Sequence, residues 1–277
     1  MRWCACALVL ASACSPLSRL VVSQPVGERY SVRSDGLIDA DIGRVQAAIE
    51  HASEGLARWG GLPQPVTVYV VNTHEELERA VHRRGYDWLR AWASYDEVIL
   101  QAPSSWRAGD ETLDQLVLHE LTHCLLFQRS GTRETWAGKQ VPLWFREGMA
   151  IANAGQQRQY PTLEDTAQWL SRHPERDVFA DGEALSRDFP AEVYAFSLHA
   201  WRFHEDRFGL ERLQPVLEQM RAGESFAHAF GAALGLPLEN FQRDFLVFLK
   251  LRAFRSIGRP PLRPDTKLLP LRAPPGD

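Results

Sequence analysis

The segment His119-Glu120-Leu121-Thr122-His123 constrains this chain more than any other. On a helix, residues four apart lie one above the other on the same face. Two imidazoles placed that way can reach one metal ion at about 2.0–2.1 Å each. Glu120 follows the first histidine and is turned away from that face, where its carboxylate can take a proton from a water on the metal. The pattern makes two demands: a helix around it, and a third ligand within reach.

Residues 112–129 meet the first demand. Leu113, Leu116, Val117, Leu121, Cys124 and Leu125 recur at spacings of three and four, which predicts a helix with one face in a core. Thr112 and Gln115 have the spacing of a capping box, and Gly131 stands where a C-terminal glycine would. The apolar flanks predict buried imidazoles, which require partners. Residues 142–152, Pro-Leu-Trp-Phe-Arg-Glu-Gly-Met-Ala-Ile-Ala, meet the second demand. They read as a second buried helix with Pro142 near its first turn. Glu147 is its only acid, and a lone buried carboxylate needs either a metal or a paired cation. The alternative reading is an ion pair with an arginine. Gly148 has no side chain, so this helix can approach another closely. His119, His123 and Glu147 are therefore the expected metal ligands, with zinc as the expected ion and a fourth position left open.

H-E-L-T-H followed 24 residues later by the glutamate of W-F-R-E-G-M-A resembles the gluzincin zinc metallopeptidases. The likeness is to the peptidase MA-like group of the thermolysin and aminopeptidase N superfamily, over roughly residues 40–250. It implies the same three ligands, Glu120 as general base, and a tyrosine near the zinc on a later helix. Val193-Tyr194-Ala195-Phe196-Ser197 resembles that helix and makes Tyr194 a catalytic candidate, with His199 a weaker one. On its residues alone, Tyr194 also reads as a packed tyrosine with a satisfied hydroxyl. The resemblance further implies that the last strand of the N-terminal lobe borders the cleft, where a peptide could add to its edge. Two departures stand out. The chain has Tyr95-Asp96-Glu97-Val98-Ile99-Leu100 where aminopeptidases carry G-x-M-E-N, which disfavours an aminopeptidase. Arg146 replaces the asparagine that often precedes the third ligand.

The expected fold class is α+β. A small α/β N-terminal lobe with a mixed sheet precedes a mainly helical C-terminal lobe, zincin-like, with the active-site helix between them. The lobes are expected over residues 28–109 and 110–255 of one domain spanning 28–255. Ile42, Val45, Ile49, Ala52 and Leu56 predict a helix over 39–58, and residues 66–71 a strand. A helix over 73–84 opens on Thr73 with Glu76 as its box partner, and Val98-Ile99-Leu100 is a second strand. Helical spacing recurs over 190–208, 210–221, 223–234 and 238–254.

Hydrophobic content of 45% and charge content of 24% are ordinary for a soluble globular protein, and a net charge of −4 gives no broad basic surface for nucleic acid. Residues 1–13 read as a signal peptide, 14–27 as a tether and 256–277 as a proline-rich tail. Ala11-Ser12-Ala13-Cys14 resembles a bacterial lipobox, which implies a membrane anchor on Cys14 and a lipoprotein of the cell envelope facing the periplasm; plain secretion is the alternative. Beyond this leader Cys124 is the only thiol, so no internal disulfide can form there. It follows His123 directly, and adjacent helix residues point about 100° apart, so it reads as a buried structural residue and not a ligand. The expected function is zinc-dependent hydrolysis of a peptide or protein substrate. The alternative is a non-catalytic metallopeptidase-fold lipoprotein acting in binding or envelope assembly. A deformylase is disfavoured, because its ligand set requires a cysteine upstream of the motif and none lies between Cys14 and His119.

Overall fold

A computed structural model describes residues 16–36 and 39–255. The expected signal peptide, Cys14 and the proline-rich tail lie outside the described residues. The α+β expectation holds: a five-stranded mixed sheet comes first and the remainder is mostly helical.

The strands are β1 (Val22–Val26), β2 (Tyr30–Ser34), β3 (Val66–Val71), β4 (Ala91–Ala93) and β5 (Glu97–Gln101), in the order β1-β2-β3-β5-β4. β2, β3 and β5 run parallel, while β1 and β4 pair antiparallel at the two edges. α1 (Asp39–Ala57) connects β2 to β3, and α2 (His74–Ala80) follows β3. Parallel neighbours need such crossovers, which cover the sheet. Alternation along β3 sends Val66, Val68 and Val70 to one face, where α1 contributes Ile42, Val45, Ile49 and Leu56. Val71 and Ile99 point to the other face, under Leu77 of α2 and with Leu20 and Leu89.

Three expectations in this lobe are corrected. Residues 22–26 are a strand and not part of a tether. Pro25 disguised it, since proline lacks a ladder donor, but it is tolerated on an edge strand. The α2 helix ends at Ala80 rather than 84, because the Glu78 carboxylate accepts the backbone N–H groups of Gly85 and Tyr86 and draws the chain away. The last strand, β5, is internal; the free edge belongs to β4, which packs against the motif helix.

The helices that follow are α3 (Asp110–Ser130), α4 (Leu143–Asn153), α5 (Leu163–Arg172), α6 (Val178–Asp188), α7 (Pro190–Phe208), α8 (Leu213–Ala222), α9 (Phe226–Leu234) and α10 (Leu238–Arg255). α3 packs on α1, on the sheet and on α4, and so stands between the two lobes. The helical lobe closes around Trp144, Phe145, Phe196, Trp201, Phe230, Phe241 and Phe245, all buried. α4 and α7 pack closest. A methyl on Gly148 would run into the Ser197 carbonyl oxygen and come within 2.6 Å of Trp201 Cβ, so this position requires glycine.

Candidate metal centre

α3 brings the two histidines to the inner face of the molecule. Leu113, Val117, Leu121, Cys124 and Leu125 are buried in the main core, while His119 and His123 face α4. The helix starts earlier than expected. Its N-cap is Gly109, with Asp110 and Glu111 in the first turn, so Thr112 and Gln115 lie inside the helix and form no capping box. Gly131 does end it, in an extended conformation. A Cβ there would sit 2.8 Å from Trp136 Cα, so close approach, not a left-handed turn, demands glycine.

Three donor atoms converge. His119 Nε2 and His123 Nε2 are 3.1 Å apart, and Glu147 Oε2 lies 3.4 Å from each. A tetrahedral ion with donors at about 2.0–2.1 Å separates any two of them by about 3.3–3.4 Å. The triangle has the dimensions of one face of that tetrahedron. All three residues are buried, at 7–8% exposure. Among the described residues this is the only grouping of three such side chains able to hold a metal ion. Cys124 is buried too, but its Sγ lies 4.0 Å from the Glu97 carbonyl oxygen in β5, outside the cluster.

The surroundings fix the donors. Gln156 Oε1 sits 2.8 Å from His119 Nδ1, so that nitrogen is the donor and Nε2 keeps its lone pair for a cation. His123 Nδ1 is buried without a protein partner. Asn153 at the end of α4 donates to Thr122 Oγ1 and accepts from Trp59 Nε1, which ties α4 to α3 and to the chain just after α1. The other oxygen of Glu147, Oε1, lies 3.4 Å from Arg146 Nε. Both fates expected for Glu147 therefore coexist: one oxygen faces the histidines and the other an arginine.

The charges reinforce this arrangement. Burial would raise the Glu147 pKa, but His123, His119 and Arg146 hold it well below the usual carboxylate range. Burial would likewise keep His119 neutral, but the Glu147 and Glu120 carboxylates raise its pKa. Glu120 is raised by burial, partly offset by His119, His123 and the Ala93 N–H on the free edge of β4. The donor set of two imidazoles and a carboxylate is one that zinc takes.

Compared with known proteins, the chain matches no family model, and no curated protein shows significant similarity to it. The reading of the site therefore rests on its residues.

Tyr194 feels the charge of the cluster. Its hydroxyl pKa is pushed well above the usual value by burial and by the Glu147 charge, so it remains a donor. Its ring meets Trp88 edge-on at 5.8 Å and Tyr160 at 6.1 Å. His199 is used elsewhere, with Nε2 donating to the Pro161 carbonyl at 3.1 Å. Trp136 packs on Phe127 at 4.8 Å, and Phe127 stacks on His123 at 6.1 Å, so this tryptophan is one ring removed from the cluster. Two residues carried no signal in the sequence. Gln156 is a polar residue in the turn after α4, and Tyr160 lies in an irregular stretch; both depend on how that stretch folds back over α3.

Proposed function

We propose that this chain is a zinc-dependent peptidase of the gluzincin type, with a zincin-like arrangement of its lobes. The observation that carries the proposal is the triangle of His119 Nε2, His123 Nε2 and Glu147 Oε2, with Glu120 buried beside it. A zinc ion held by three side chains supplies Lewis acidity and lowers the pKa of its water to about 7. His119, His123 and Glu147 would hold the ion. Glu120 takes the proton from the water that attacks a peptide carbonyl and passes it to the leaving amine. Tyr194, kept protonated, donates a hydrogen bond to the oxygen that gains negative charge. The lipobox-like Ala11-Ser12-Ala13-Cys14 supports a place in the cell envelope. Among the described residues no helix is long and apolar enough to cross a membrane.

The test is digestion of a peptide library by the purified protein, with and without chelator, beside a Glu120→Gln variant. Cleavage that stops with chelator and falls about 10²–10⁴-fold in Glu120→Gln, with metal retained, is the expected outcome. Undiminished cleavage by Glu120→Gln would refute the general-base role. One observation favours the second reading, a metal-binding protein without turnover: the three ligands and Glu120 are each only 7–8% exposed. Zinc uptake without cleavage of any library member would select that reading.

A further inference from the structure

We propose that Arg146 is a positioning residue that leaves Glu147 a single oxygen for the metal. This rests on the metal-centre reading above. A free carboxylate can chelate a cation through both oxygens, and in a three-ligand site the second oxygen would fill the open position. Here the two oxygens are divided. Oε2 lies 3.4 Å from both histidine Nε2 atoms, and Oε1 lies 3.4 Å from Arg146 Nε.

The contact between Arg146 and Glu147 is not imposed by the helix. Successive residues on a helix point about 100° apart. Arg146 is bent back by anchors at its far end: Nη2 pairs with Glu183 Oε1 on α6 at 2.5 Å, and Nη1 points to the Val141 carbonyl at 3.4 Å. The planar guanidinium presents its donors in a fixed fork, so two anchored nitrogens aim the third. The arginine side chain is 20% exposed and Glu183 61% exposed, so the brace runs from the surface of α6 to the ligand on α4. Arg146 thus acts through Glu147 and touches no donor on the histidines.

Cobalt(II) substitution reads the coordination directly, because raising the number of ligands weakens its visible bands. The wild type is loaded with Co²⁺ and compared with Arg146→Gln and Glu183→Gln, with circular dichroism to confirm folding. Arg146→Gln is expected to lose roughly half or more of the visible absorbance per bound ion as Oε1 joins the metal. Glu183→Gln, a surface change that leaves the fold intact, shifts the spectrum the same way by less. A wild-type spectrum in folded Arg146→Gln overturns the proposal. If Arg146→Gln does not fold, an unchanged spectrum in Glu183→Gln does so. Failure of the wild type to take up Co²⁺ would instead remove the metal-centre reading itself, and this proposal with it.

Discussion

The roles proposed for Glu120 on α3 and Tyr194 on α7 separate by experiment. Tyr194→Phe removes one hydroxyl donor and leaves the three ligands in place. It is expected to lower kcat by about 10²-fold with zinc content unchanged, a loss of the kind seen when one oxyanion donor is removed. A change confined to KM would make Tyr194 a binding residue only. The pairing of the two histidines was legible because their spacing is a helical property: His119 and His123 share a face whatever the rest of the fold does. Glu147 was legible because a lone acid among Trp144, Phe145, Met149 and Ile151 must find a cation in the core, a metal or an arginine. Gln156 and Tyr160 were not, since neither belongs to a periodic element and their positions follow from an irregular stretch after α4. Arg146 was visible as a departure from the motif this segment resembles, but its partner Glu183 is 37 positions away in a helix the sequence did not reveal.

At the scale of elements, the join between α4 and α7 sets where Glu147 sits. Gly148→Ala forces a methyl against the Ser197 carbonyl and Trp201. It is expected to destabilise the protein by about 2 kcal/mol or more in denaturant unfolding, the cost of overpacking outweighing the gain in helix propensity. Gly43→Ala in α1, where nothing lies within 4 Å, is the control and should stabilise by up to about 1 kcal/mol. Equal effects at the two sites would contradict this account of the packing. The long, strongly periodic elements were readable: α1, α7 and α10 fall within a residue or two of their expected limits. The elements that escaped are short or depend on tertiary partners. β4 has three residues, β1 contains a proline, and α5 and α6 are only ten and eleven residues long. α9 was expected from residue 223 but begins at Phe226, because Ser225 caps it by accepting the His228 N–H.

At the scale of the whole molecule, stability should depend on His204. It is fully buried among Trp201, Phe145, Phe208, Phe230 and Phe241, and neither ring nitrogen has a protein partner. Burial lowers its pKa to about 4. The unfolded chain titrates near 6.5, so below that pH it binds a proton that the folded protein refuses until about pH 4. Stability is therefore complete above pH 6.5 and is lost as pH falls toward 4, by on the order of 3 kcal/mol from this residue. His204→Leu should flatten that part of the stability curve; an unchanged slope would show that the ring does not titrate as described. All of these effects surround one claim, that His119, His123 and Glu147 together hold one ion. The most direct measurement is zinc bound per chain after dialysis, in the wild type and in a folded Glu147→Ala variant. The account predicts one equivalent in the first and close to none in the second. Equal zinc in both, or none in either, would contradict it.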